Sequence, residues 1–491
     1  MRYLLGIDLG SSSVKVALVE VESGRTVEEA SYPPTEAPIK SLQSGWAEQR
    51  PDDWWNYTKQ ALAMLRADLK EVAAIGISYQ MHGLVCLDRE RSVLRDAIIW
   101  CDSRGVPYGE DARRRLGDDL CMNTLRGMPG NFTATKLAWV REHEPALFDR
   151  LATIMLPGDW LAMRLTGHAA TTDGGLSEMM LWDYSAQKPA QFLMDALGIP
   201  LHVLPERVEM IGLQGEVTSA AARELGLKAG TPVTYRAGDQ PNNALSLNVF
   251  DPGEVAATAG TSGVVYGVAA ADIKPTAADD TRVNTFMHVN RNLGVMHCVN
   301  GCGIMNAWIK RMVAPEMSYD EINRLAETVP VGSDGVSILP FGNGAERVLQ
   351  NEDMGCLIGG VNFIRHGQSH LLRGAQEGIA FSLVYGMELM RGMGMRLDTL
   401  RAGRANLFLS PLFREALAST SQVAIELVDT DGAVGAARAA GLGAGIYASR
   451  KEAFASLRTL SCTMPDRTLR AAYADAYDRW KSSLNRWRRE V

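Results

Sequence analysis

Neither of the two glycine signatures by which many nucleotide sites are recognised occurs in the 491-residue sequence. There is no GxxxxGK followed by Ser or Thr, and no GxGxxG. The P-loop and dinucleotide-binding routes therefore lack their motif. No uninterrupted apolar stretch reaches the length of a membrane span. An excess of positive charge is missing too: Lys+Arg total 50 against Asp+Glu 57, a net charge of -7. Such a chain has no global pull towards nucleic acid or an anionic membrane, so an anionic ligand needs a local cradle. The seven cysteines are scattered, and only Cys298 and Cys302 lie close, beside His297. An odd, dispersed set gives no disulfide framework, and a zinc site would need a second cluster. Buried, inert thiols are expected. Low-complexity segments and extended linkers are absent. The opening, MRYLLGIDLG, stays apolar for only a few residues before Asp8, and no small-residue cleavage site follows. A mature strand in a cytoplasmic protein is expected.

What is present is enough apolar sequence for a sizeable core: 46% hydrophobic against 22% charged residues. The length suggests about three folding units or two large ones. Residues 3–32 read as strand, DLGSSS turn, strand, ESGR turn, strand. A helix is expected from Pro51-Asp52, another over 133–150, and a short one within MLPGDWLAMRLTG. VAAIGIS reads as a buried strand leading into YQMHG. Far downstream, GEVAATAGTSGVVYGVA repeats the opening theme of two β-rich runs around a small-residue hairpin. Two such hairpins some 250 residues apart suggest a duplicated α/β domain. The boundary is expected across SLNVFDPGE, residues 246–254, where a helix gives way at Pro252-Gly253. Near the end, Leu469, Tyr473, Tyr477, Trp480, Leu484 and Trp487 recur at spacings of three and four. That pattern predicts an amphipathic helix that closes the domain.

Three segments can carry chemistry. In Asp8-Leu9-Gly10-Ser11-Ser12-Ser13, followed by Lys15, glycine and serine let backbone N–H groups approach phosphate oxygens. Asp8, at the end of the preceding strand, can hold Mg²⁺ directly or through water. Gly260-Thr261-Ser262-Gly263 offers the same cradle without the acid. Either the two turns face each other and hold a phosphate chain, or both are structural hairpins. The second segment is the strand PVTYRAG, which ends in Asp239-Gln240-Pro241, with Pro241 where a helix would begin. A carboxylate there can accept a proton from a hydroxyl, or can cap the helix. Gln240 can bond a polyol. Third, Gln80-Met81-His82-Gly83 ends another strand, and His82 is either a functional donor and acceptor or a structural histidine. Asp102 and Arg104 are explained by an ion pair, and Trp46 and Glu48 by loop and helix-entry packing.

With these segments in their order, the chain resembles the FGGY carbohydrate kinases, and among them most the xylulokinases. The parts that carry the likeness are GIDLGSSSVKVAL, GWAEQRPDDWW, GISYQMHG, IIWCDSR, NFTATKLAWVREHEP, RAGDQPNNALSLNV, TAGTSGVVYGV and DTDGAVGAARAAG. The resemblance implies an α/β fold of two ribonuclease-H/actin-like domains flanking a central cleft. Residues 1–245 would form a sugar-binding domain with the first phosphate hairpin, and 246–491 a nucleotide-binding domain. It implies ATP-dependent phosphorylation of D-xylulose to D-xylulose 5-phosphate, with Asp239 as general base and Mg²⁺ held through Asp8 and Asp239. It assigns Met81, His82, Asp239 and Gln240 to the sugar, and Ser11, Ser12, Gly260, Thr261, Gly403 and Asn406 to the nucleotide. Met81-His82 matches the xylulokinase pair, whereas Gln240 stands where xylulokinases often carry Asn and glycerol kinases Gln. The adenine-side loop departs from the family's Gly-Gly-Gly-Ala: it reads Ala402-Gly403-Arg404-Ala405-Asn406. With two glycines gone and an arginine in their place, Arg404 is expected to lie along the base or ribose in a way the family loop does not, and nucleotide preference is left open. Kinases for another ketose or a polyol, such as L-ribulose or a glycerol-like substrate, are the nearest alternatives. A non-catalytic sugar and nucleotide sensor is a further one. Neither nucleic acid nor membrane is expected as a partner, and a homodimer is open.

Overall fold

The computed structural model describes residues 1–273 and 281–490. Contacts divide them into two units. The first comprises Met1–Phe250, Phe286–Asn292 and Thr430–Leu457, and the second Asp251–Thr285, Leu293–Asp429 and Arg458–Val491. The chain changes unit at Phe250/Asp251, close to the expected boundary. However, 286–292 and 430–457 fold with the first unit, so the contact units are not the contiguous blocks 1–245 and 246–491.

Six principal strands build the first unit: β1 (Tyr3–Leu9), β2 (Val14–Glu20), β3 (Thr26–Tyr32), β4 (Val72–Tyr79), β5 (Ile211–Glu216) and β6 (Pro232–Gly238), in the order β5-β6-β4-β1-β2-β3. Leu4, Leu5, Ile7 and Leu9 are all fully buried, as suits a central strand covered on both faces. Strands β1, β4 and β6 are parallel, with Leu9 opposite Tyr79 and Tyr79 opposite Gly238. Their C-terminal ends therefore reach one edge. The antiparallel β1–β2 hairpin closes through the Gly10 N–H, which donates to Ser13 O over 3.0 Å.

In the second unit lie β7 (Glu254–Ala259), β8 (Gly263–Ala269), β9 (Leu293–Val299), β10 (Thr399–Gly403), β11 (Ala424–Val428) and β12 (Thr459–Thr463). This unit's part of a seven-stranded sheet runs β9-β8-β7-β10-β11-β12. The series β9-β8-β7-β10-β11 repeats β3-β2-β1-β4-β6 in order and in strand sense. That shared order is the duplication expected from the two hairpins, and it is the ribonuclease-H/actin-like arrangement. The outermost antiparallel strand differs: β5 precedes β6 in the chain, whereas β12 follows β11.

The helix Gly432–Gly443 packs on the first unit's sheet. A Cβ on Gly6 would meet Ala433 O at 1.7 Å, and one on Gly76 would meet Ala436 O at 2.0 Å. Only glycine in the strands and small residues in GAVGAARAAG allow so close an approach. The predicted helix over 133–150 is two pieces, Thr133–His143 and Pro145–Phe148. Pro145 lacks the N–H that a continuous helix needs and disfavours helical backbone at Glu144. The helix expected to run towards Pro252-Gly253 ends at Ser246, and Asn248 takes a φ of +56°. The closing helix, Arg470–Glu490, buries Tyr473, Tyr477, Trp480 and Leu484, while Leu469 and Trp487 are half-buried. Among the described residues no helix is long and apolar enough to cross a membrane.

Candidate active site

In the first unit the edge where β1, β4 and β6 end brings Asp8, Met81-His82 and Asp239 together. Asp8 sits one residue before the end of β1, opposite Lys15 in β2 and Ser78 in β4. Burial raises its pKa most. A hydrogen bond with Ser78 opposes this, and the negative charge of Asp431 adds to it. Asp431 caps the Gly432 helix by accepting from Val434 N–H at 2.9 Å, and it lies 3.8 Å from Lys15 Nζ. A Cβ on Gly432 would stand 2.6 Å from Asp8 Oδ2, so a larger residue where this helix begins would crowd the Asp8 carboxylate.

Asp239 opens the helix Asp239–Ser246, with Gly238 as the N-cap residue. The carboxylate therefore lies in the first turn and is not the cap itself. Its pKa is pushed up to about 7, first by burial and then by the charge of Asp8, against hydrogen bonds from Gln240. Gln240 is half-buried beside it. Met81, 4% exposed, packs against Gly238, where a Cβ would come within 2.5 Å of Met81 Cγ. That contact explains the glycine immediately before Asp239.

His82 has a φ of +59°. Its backbone N–H donates to Glu178 Oε2 at 3.0 Å, and its Nδ1 lies 2.9 Å from the Glu178 carbonyl oxygen. The imidazole packs against Phe132 and Phe286, with ring centroids 5.0 and 5.1 Å away. Lys136 Nζ donates to His82 O at 2.7 Å. Sequence reasoning missed both Glu178 and Lys136. The first hairpin is anchored by Gln49 Nε2, which donates to Ser11 O at 2.7 Å, while Ser12 is exposed. Arg104 lies 3.9 Å over the Trp46 ring and pairs with Asp102 and Glu48. The Asp102–Arg104 ion pair is as expected, and Arg104 joins Trp46 and Glu48 to it.

Two mutually repelling carboxylates, one bonded to Ser78, make an electronegative seat. Two acidic oxygen donors of this kind have the chemistry to hold a Mg²⁺ ion that keeps water and phosphate oxygens.

The second unit holds a pocket of about 520 Å³. Gly260 and Thr261 line it together with Asn306, Asn323 and Asn406. The hairpin is fixed by the helix Gly303–Val313: Gly303 N–H donates to Gly260 O at 2.8 Å, and a Cβ on Gly303 would meet that oxygen at 2.2 Å. Ser410 Oγ donates to Gln376 Oε1 at 2.6 Å, and Gln376 Nε2 to Asn323 Oδ1 at 2.8 Å. This chain of bonds orients the Asn323 amide at the wall. The volume and the few convergent polar groups suit a nucleoside. Asn406, with a φ of +53°, reaches the pocket. Gly403 ends β10 and Arg404 is exposed, and neither is among the residues lining the pocket. No local pattern marks Asn306 and Asn323.

The profile for the FGGY family of carbohydrate kinases, N-terminal domain, matches residues 3–246. Xylulose kinase of Bacillus subtilis (strain 168) is 31% identical over 406 residues, covering 82% of this chain and 80% of that protein. L-xylulose/3-keto-L-gulonate kinase of Escherichia coli (strain K12) is 30% identical, covering 98% and 96%. The crystal structure of a xylulose kinase from Brucella ovis matches with a TM-score of 0.89 at 25% identity and covers 100% of both chains.

Proposed function

Because the chain belongs to the FGGY family of carbohydrate kinases and is an ATP-dependent sugar kinase, we propose that its substrate is D-xylulose and its product D-xylulose 5-phosphate. Asp239 is the general base. It accepts the proton of the C5 hydroxyl as that oxygen bonds to the γ-phosphorus and the bond from the γ-phosphorus to the bridging oxygen of ADP breaks. The observation that carries this reading is the Asp239 carboxyl at the shared ends of β1, β4 and β6, beside Asp8. Burial and the charge of Asp8 raise its proton affinity above that of a free aspartate, as suits a proton acceptor.

Asp8 and Asp239 would hold Mg²⁺, which offsets charge on the phosphates when bound. Met81, His82 and Gln240 orient the sugar. Nδ1–H donates to the Glu178 carbonyl, which fixes the orientation of the His82 ring for its part in binding the sugar. Ser11 and Ser12 of the first hairpin and the amides of Gly260 and Thr261 contact phosphate oxygens. Asn406 and the wall around it take the nucleoside, and Gly403 supports the strand end behind that loop. The reaction is placed in the cytoplasm, on ATP and a free sugar.

The relative that acts on L-xylulose and 3-keto-L-gulonate makes a sister ketose the second reading. An ADP-release assay over D-xylulose, L-xylulose, L-ribulose, 3-keto-L-gulonate and glycerol separates the two. The proposal expects the highest kcat/KM for D-xylulose, with phosphate on C5 of the product. Preference for another member of the panel would replace D-xylulose as the substrate.

A further inference from the structure

Lys136 is fully buried, on a helix where a lysine would ordinarily face water. Burying an ammonium is costly unless it is paired and hydrogen-bonded. Its Nζ donates to the carbonyl of His82, at 2.7 Å. Glu178, 2% exposed, meets the same residue from the other side. It takes the His82 N–H on Oε2 and the ring Nδ1–H on its own carbonyl, while Tyr79 O–H holds Oε1 at 2.6 Å. The backbone N–H, the backbone carbonyl and one ring nitrogen of His82 are thus fixed by two residues distant in sequence. The conformation they hold is left-handed, which non-glycine residues seldom adopt.

We propose that Lys136 and Glu178 are positioning residues: a buried clamp that holds His82 in its left-handed conformation and so sets how the imidazole meets the sugar. This rests on the reading of His82 as a sugar contact. Packing alone would be served as well by an apolar side chain of similar volume at 136, which would spare the cost of desolvation. The placement of both groups agrees with their titration. Burial is the largest cause for each, lowering Lys136 to about 7 and raising Glu178 well above the usual carboxylate range. Either form of Lys136 donates a hydrogen bond.

Steady-state kinetics with D-xylulose and ATP, together with thermal melts, test the clamp. Lys136→Met should raise the sugar KM about tenfold, the scale of one lost buried hydrogen bond, with ATP KM nearly unchanged. A thermal melt checks that the variant folds. Glu178→Gln, which keeps the size but loses one acceptor, should move the sugar KM in the same direction, and it decides the matter if Lys136→Met does not fold. Unchanged sugar KM in the folded clamp variants would overturn the proposal. His82→Ala is the control. If it leaves the sugar KM unmoved, the sugar-contact reading fails on its own account. If it raises KM while the clamp variants do not, the clamp alone fails. Adding Lys136→Met to His82→Ala should cost nothing more, and a full additive loss would contradict a shared route through His82.

Discussion

Asp239 binds its proton more tightly than a free aspartate, because burial and the neighbouring charge of Asp8 both disfavour the carboxylate. The folded chain therefore holds more protons at this group than the unfolded chain between its ordinary value near 4 and about 7. Stability contributed here falls as pH rises through that window, and the full penalty is present above pH 7. Asp239→Asn should raise the melting temperature, by more at pH 8 than at pH 5. Calorimetry at the two pH values checks this, and an equal change at both would show that the charge carries no such penalty. Which single residues were legible in the sequence follows from the same placement. Asp8, His82 and Asp239 follow or end recognisable strands, so their common edge could be anticipated. Glu178 meets His82 across 96 residues of chain, and Lys136 sits in TATKLAW, where nothing local marks it as buried. Pairings of that range are made by the fold and leave no local pattern.

Among the elements, the two hairpins and their flanking strands are legible, since each combines an apolar run with a small-residue turn. The break at Glu144 was signalled by Pro145, yet the apolar spacing of 133–150 reads straight through it. The helix Gly432–Gly443 is different. Its small residues predict close packing, but not that its partners are β1 and β4. Gly76→Ala tests this contact. Its new Cβ would lie 2.0 Å from the Ala436 carbonyl, a backbone atom that can move only with the helix. Overpacking of this kind costs about 1–3 kcal/mol or more, so the melting temperature should fall by several degrees. An unaltered melt would mean that helix and sheet are not in such contact.

For the whole chain, composition and the repeated hairpins foretold a duplicated α/β protein, and the matching strand orders bear that out. The assignment of segments to units was less legible, because 430–457 lies in the second copy by sequence and in the first unit by contact. A fragment ending at Phe250 would lack the helix that covers Gly6 and Gly76 and would expose Leu4 and Ala74 of that core. Expressed alone, 1–250 should show no cooperative melt by circular dichroism. A sharp transition would mean that the first unit does not need the later segment. The same core carries the strand ends on which Asp8, His82 and Asp239 stand, so fold and chemistry meet at one carboxylate. Asp239→Asn tests it most directly, through turnover with D-xylulose and calorimetric sugar binding on the same preparation. Turnover should fall at least about 10²-fold, the lower range of general-base assistance, while sugar affinity stays within a few-fold. Undiminished turnover in a correctly folded variant would contradict the account.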